Sequence, residues 1–285
     1  MWTLWKNREL HRHPDGSNTQ LAIALKELNG TILYLDPMSS QGAPHTLVAG
    51  GTGSGKSVLI RMMILDIAAT NTPSQARLYM IDPKKGINYA SIKKLPHWAT
   101  PFITESNESL LIMDELIAEM DRRYKLFAEE SVEDLFEYNR GHKRSMLPVL
   151  WLFHDEIADW TRDKDYNREF TAKMTILATK VRAAGIFLVL IVQRPDKDVL
   201  PMQVRDNLGN RLALKLETEA SSKIALGKSG AELLLGKGHL AARIGSSITY
   251  AQCAFLDSAQ AEQAAKAITA DYDEITINCQ NSFPS

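Results

Sequence analysis

Two rhythms of apolar and polar positions run along this chain. Short, nearly unbroken apolar runs at residues 45–49, 78–81, 149–153, 186–192 and 211–216 have the length of strands buried on both faces. Between them lie longer stretches with a helical period, at 56–69, 108–128, 169–183 and 222–226. In the second of these, Leu110, Met113, Ile117, Met120 and Tyr124 recur at steps of three or four, which marks one buried helix face. Strands alternating with helices predict an α/β fold, a mainly parallel sheet flanked by helices. Residues 31–35 read as a further strand, followed by a loop rich in Pro, Ser and Gly over 36–44. Ahead of it, Leu21-Ala-Ile-Ala-Leu-Lys-Glu-Leu28 shows a helical period, and the Ala-rich stretch 258–271 predicts a last helix with a loosely ordered tail. The chain therefore divides into a lead segment over 1–36, a core over 37–257, and a C-terminal helix with an acidic tail over 258–285.

Composition adds class. With 285 residues, 45% hydrophobic and 24% charged, the chain has globular proportions. Two cysteines, Cys253 and Cys279, are too few for a disulfide framework or a thiolate metal cage, so a reducing compartment is expected. The apolar runs fall short of the ~20 residues that cross a bilayer, and the N-terminus lacks the apolar region of a signal peptide. The expected location is the cytoplasm, at the inner face of the membrane where partners or an anchor of a longer parent hold it there. The net charge of −1 does not announce nucleic acid. Its distribution is less even: residues 173–243 carry twelve Lys/Arg against six Asp/Glu, whereas 244–285 carry one against five. A basic segment of this kind either follows a phosphate backbone or is a solvated face.

The sharpest chemistry lies in His45-Thr-Leu-Val-Ala-Gly-Gly-Thr-Gly-Ser-Gly-Lys-Ser57. Here G-x-x-x-x-G-K-S follows an apolar strand and opens a helix, as a phosphate-binding loop requires. Gly50, Gly51, Thr52, Gly53, Ser54, Gly55, Lys56, Ser57 and Val58 form the expected nucleotide cradle. Its amides point at phosphate oxygens at the positive end of the helix. Lys56 is expected to reach the β- and γ-phosphates of ATP, and the Ser57 hydroxyl to ligate Mg²⁺.

An apolar run over 147–153 ends in His154-Asp-Glu156. Two carboxylates at the end of a buried strand suit hydrolysis, with Asp155 on Mg²⁺ and Glu156 taking a proton from the attacking water. His154 reads as a packing or capping residue. Gln193 closes the 186–192 strand and is the candidate sensor of the γ-phosphate. Arg182 ends a helix before Gly185; on the residues alone it is either a partner of the helix dipole or an arginine finger supplied to a neighbouring subunit.

Further segments carry a family likeness. They are Pro44-His-Thr-Leu-Val-Ala-Gly-Gly-Thr-Gly-Ser-Gly-Lys-Ser-Val58, Ile81-Asp-Pro-Lys84, Met120-Asp-Arg-Arg-Tyr-Lys125, Glu137-Tyr-Asn139, His154-Asp-Glu-Ile-Ala-Asp159, Arg182-Ala-Ala-Gly-Ile186, Gln193-Arg-Pro195, Ser221-Ser-Lys-Ile224 and Gly230-Ala-Glu-Leu-Leu-Leu-Gly-Lys-Gly238. Together, over residues 35–256, they resemble the motor domain of the FtsK/SpoIIIE family of DNA translocases. The resemblance implies a RecA-like P-loop core, a hexameric ring around double-stranded DNA, and ATP with Mg²⁺ hydrolysed between subunits. It makes Arg182 the finger acting in trans and Gln193 the sensor, and places Asp82 and Lys84 near the nucleotide. The stretch between Lys223 and Gly230 is short and no winged-helix sequence follows, which points to a coupling ATPase of a mobile element or a motor portion of a larger protein. The same likeness extends to type IV and type VII protein-secretion ATPases. A nucleotide-gated scaffold at a secretion or transfer apparatus is the remaining alternative.

Overall fold

The computed structural model describes residues 8–39, 43–196 and 199–281. The first seven residues of the lead segment, residues 40–42 of the predicted loop, Lys197 in the basic stretch, residues 282–285 of the tail and the side chain of Cys279 lie outside the described parts. Among the described residues, nine strands form one sheet in the order β2-β1-β9-β8-β7-β3-β6-β5-β4. Five of them, β7 (Asn210–Leu214), β3 (Thr46–Ala49), β6 (Ile186–Val192), β5 (Val149–His154) and β4 (Ala76–Ile81), run parallel. The other four, β2 (Ile32–Leu35), β1 (Leu21–Lys26), β9 (Ser247–Gln252) and β8 (His239–Ile244), continue it antiparallel. The expected parallel sheet is thus the half that carries the phosphate loop.

The apolar runs of the parallel half are strands because both faces are covered. Along β5, Val149, Trp151 and Phe153 enter one core, and Leu150 and Leu152 enter the other. Along β6, Phe187, Val189 and Ile191 face the first, while Ile186, Leu188, Leu190 and Val192 face the second. Each fully buried side chain of this size contributes about 1.5–3 kcal/mol, so the two cores dominate stability. Helix α1 (Lys56–Thr70) is apolar nearly all round, as a helix enclosed by its surroundings must be. It packs in the first core against β1, β4 and the C-terminal helix. Helices α2 (Ser106–Glu130) and α5 (Lys164–Lys180) cover the second core; the short helix α3 (Leu135–Gly141) packs on α2, and α4 (Ala158–Thr161) packs on α5. The Asp163 carboxylate starts α5 by accepting from the amides of Asp165 and Tyr166, both at 2.9 Å.

Two readings change and one element is new. Residues 21–26 are strand β1, not helix: the run is short and deeply buried, and the apolar spacing of a short run does not separate the two forms. The β8–β9 hairpin carried no reading, because β9 keeps only one fully buried position and offers little apolar signal. After α6 (Met202–Arg205) and α7 (Glu219–Leu226), helix α8 begins at Ser258 and continues to Asn281, well past the expected end at residue 271. Strand β1 pairs with β9, so the lead segment and the core share one sheet. No helix among the described residues is long and apolar enough to cross a membrane.

Candidate functional site

The C-terminal ends of β3, β6 and β5 lie side by side, and the sequence places a chemically active segment at each. β3 leads into the glycine loop, β6 ends at Gln193 and β5 ends at His154, followed by Asp155 and Glu156. Because β6 stands between β3 and β5, Gln193 comes between the phosphate loop and the carboxylates. A cavity of about 680 Å³ opens there, lined by the loop from Gly51 through Val58 and by Lys84, Asp155, Glu156 and Gln193.

The loop's glycines answer to measurable crowding. Gly55 has φ +102, and a Cβ there would lie 2.8 Å from the amide nitrogen of Gly238. A Cβ at Gly50 would lie 2.6 Å from the Ser54 hydroxyl oxygen. That buried hydroxyl has no hydrogen-bond partner among the described residues. The first amides of α1 lack intrahelical acceptors, so the loop and helix start form a cradle for an anion. These features fit a bound triphosphate.

The carboxylates are tied in from below and above. The amide of Asp155 donates to the Ile81 carbonyl at 2.8 Å, and the Asp155 Oδ2 accepts from the Tyr89 hydroxyl at 2.7 Å. Burial and then the Asp155 charge push the Tyr89 phenol well above its ordinary range, so Tyr89 remains a donor. Glu156 has φ +46, a left-handed backbone costing about 1–3 kcal/mol, anchored where its amide N–H donates to Asp155 Oδ1 at 2.9 Å. Its Oε2 lies 3.4 Å from the Lys56 ammonium and 3.1 Å from that of Lys84. Burial pushes the Glu156 carboxyl up, but the two lysines together outweigh it and hold it below the ordinary range. The Glu156 carboxyl is therefore ionised at neutral pH.

Lys84 owes its place to Asp82. The Asp82 carboxylate accepts from the amides of Lys84 at 2.9 Å and Gly86 at 2.7 Å, curling the loop after β4 over the cavity. Burial raises the Asp82 carboxyl above its usual range, against these two bonds. Gln193 Nε2 donates to the Thr52 hydroxyl at 2.5 Å, so the sensor candidate touches the phosphate loop directly. Ser57 and Asp155 line the same cavity, and one carboxylate, one hydroxyl and phosphate oxygens are the donor set Mg²⁺ prefers. His154 is fully buried and packs on Trp160 and Phe170, with burial lowering it to about 3, in line with a packing role.

Arg182 is not brought to this cavity. It sits before the start of β6, whose seven residues span about 20 Å, so it occupies the opposite edge of the sheet from Gln193. Its guanidinium is exposed and reaches the Ser39 carbonyl at 3.3 Å. The turn beneath it is fixed: buried Arg123 donates to the Ala184 carbonyl at 2.7 Å, and the Leu135 amide to the Ala183 carbonyl at 2.9 Å. Lys223 pairs with Glu219 at 2.6 Å on the exposed face of α7.

Two contributions went unread in the sequence. Tyr89 lies in a 3₁₀ turn (Ile87–Ile92) with no motif to mark it. The antiparallel half supplies another wall: the Gly238 amide donates to the Ser54 carbonyl at 2.7 Å, and the Cys253 amide to the Gly238 carbonyl at 2.9 Å. Lys237 and residues 253–255 thereby line the cavity. The only sequence signal for this wall was the glycine pair Gly236 and Gly238.

A profile of the FtsK/SpoIIIE family matches residues 10–237. The chain is 36% identical over 226 residues to the DNA translocase FtsK of Campylobacter jejuni, covering 78% of this chain and 23% of that protein. It is 35% identical over 204 residues to the DNA translocase SftA of Bacillus subtilis, covering 69% of this chain and 21% of that protein. It thus spans roughly a quarter of these curated relatives' length. Its fold is similar to the pCW3 conjugation coupling protein TcpA, in its monomer form with ATPγS, at a TM-score of 0.75 and 25% identity, over 87% of this chain and 70% of that one. A likeness of fold alone links it to the cytoplasmic domain of the type VII secretion ATPase EccC of Thermomonospora curvata, at a TM-score of 0.76 and 23% identity, over 93% of this chain and 32% of that one.

Proposed function

The chain belongs to the FtsK/SpoIIIE family, and on that premise we propose that it is an ATP-hydrolysing motor that moves double-stranded DNA. The observation that carries this reading is the convergence of Lys56, Asp155, Glu156 and Gln193 on one glycine-cradled cavity. In this reading residues 37–257 are the motor, completed by β1 and β2 of the lead segment and followed by the C-terminal helix and tail. The loop amides and Lys56 hold the phosphates. Ser57 and Asp155 would hold Mg²⁺, which neutralises phosphate charge when bound. Glu156, kept ionised by Lys56 and Lys84, accepts the proton of the attacking water. The Lys56 contact to Glu156 yields to the phosphates, leaving Lys84 to orient the carboxylate. Gln193, hydrogen-bonded to Thr52, couples the state of the phosphate loop to the end of β6.

Arg182 stands too far from its own cavity to act there. In our reading it acts at the cavity of a neighbouring subunit, within a ring that we take to be a hexamer around the duplex. The named DNA translocases among the relatives support DNA as cargo, in our reading duplex, and the conjugation coupling protein TcpA supports a role in element transfer. A cytoplasmic site of action fits both. The test is steady-state ATP hydrolysis with and without long duplex DNA, with Lys56→Ala as the blank. Strong stimulation by duplex and weak stimulation by single strands is the expected result. Hydrolysis indifferent to DNA but raised by a secretion partner would sink the translocase in favour of a protein-secretion ATPase or a gated scaffold.

A further inference from the structure

We propose that Phe255 is the platform on which the base of the nucleotide stacks, in a cleft that Arg61 holds together. This rests on the nucleotide reading above. Phe255 is 79% exposed, an unusual place for a phenyl ring just past the end of a sheet strand. It lines the same cavity as Lys56 and Ser57, alongside Ala254 and Asn88. Lys56, Ser57, Asp155 and Glu156 give that cavity its charged and polar lining, whereas Val58, Cys253, Ala254 and Phe255, beside Lys237, add apolar surface. A nucleoside triphosphate likewise carries charge at one end and an aromatic base at the other.

The two segments that frame the apolar surface come from distant parts of the chain and meet on one side chain. Arg61 of α1, buried at 9% exposure, donates to the Asn88 carbonyl at 3.2 Å and to the Leu256 carbonyl at 3.3 Å. It also donates to the Ser258 hydroxyl at 3.4 Å. Lys56 and Arg61 stand five positions apart on one helix, about 7.5 Å along its axis, so the phosphate loop and the clamp on Asn88 and Leu256 share one rigid element. The backbone chain from Ser54 through Gly238 to Cys253 fixes the height of Phe255 over the loop, so the platform is held in register with the phosphates. An aromatic ring reads only the π-face of a base, so the platform supplies affinity with little choice among purines.

The experiment compares two probes, ATPγS and inorganic tripolyphosphate, titrated calorimetrically into the full chain in magnesium buffer. Wild type is expected to bind both. Phe255→Ala, a change at an exposed position, is expected to weaken ATPγS about tenfold or more while leaving tripolyphosphate within about twofold. Phe255→Trp restores ATPγS affinity, and GTPγS loses as much as ATPγS in the alanine variant. Unchanged ATPγS affinity in Phe255→Ala, or equal losses for both probes, overturns the assignment. Wild type that binds neither probe overturns the nucleotide reading and the platform with it.

Discussion

The parallel and antiparallel halves of the sheet reach the same cavity by different means. The parallel half brings side chains: three strand ends in a row deliver Lys56, Gln193 and the Asp155–Glu156 pair, each at a spot the strand register dictates. The antiparallel half brings mainly backbone. Gly238 presses against the phosphate loop through one amide, and Cys253 follows through another. Chemistry thus sits on the half whose strands are locked between two cores, and enclosure on the other half. A catalytic group must hold its position within fractions of an ångström, and a strand buried on both faces is the stiffest support the fold offers.

The contrast can be broken most severely at Arg182. If the parallel half is complete only across a subunit boundary, Arg182→Ala lowers hydrolysis about a thousandfold or more, near 4 kcal/mol of barrier, with nucleotide binding unchanged. Mixing that variant with Lys56→Ala then recovers activity, since each supplies what the other lacks. Activity that survives Arg182→Ala would show that one chain makes a complete site.

The same contrast separates what the sequence revealed from what it did not. The phosphate loop, the carboxylate pair and Gln193 were legible because each is a polar segment at the end of an apolar run, a pattern that fixes element, direction and exposed end together. Asp82 and Lys84 were legible only through a family likeness; no local rule says that an Asp will curl its own loop to aim a lysine. Tyr89 was invisible, because a tyrosine in a short 3₁₀ turn has no periodicity and its bond to Asp155 spans 66 positions. β1 was misread since Leu21, Ala22, Ile23 and Ala24 are all buried, which removes the alternation that identifies a strand. The wall formed by Gly238 and Cys253 was unreadable because it acts through amides, which every residue possesses.

A smaller effect lies where the halves touch. Gly55→Ala places a methyl 2.8 Å from the Gly238 nitrogen at a backbone angle of φ +102. A cost of about 1–3 kcal/mol in stability is expected, read as a lowered midpoint in urea, together with weakened ATPγS binding. A variant as stable and as tight as wild type would mean the antiparallel half merely adjoins the loop.

The smallest expected effect is at Lys84. Lys84→Met removes a half-exposed ion pair, so it should cost less than about 1 kcal/mol at pH 7. The sign with pH follows from the depressed Glu156 carboxyl: its stabilising contribution is present above the unfolded Glu range and fades as pH falls through the folded value. Wild type and variant should therefore converge in urea stability at acid pH. A gap that widens on acidification would contradict the pairing.

If hydrolysis at Glu156 moves duplex DNA, as proposed, the motion can be read from displacement of a third strand from a DNA triplex. The chain with ATP is expected to strip the third strand from a long duplex, while ATPγS, or Glu156→Gln with ATP, leaves it in place despite intact nucleotide binding. DNA-stimulated hydrolysis by the wild type without strand release would refute the motor.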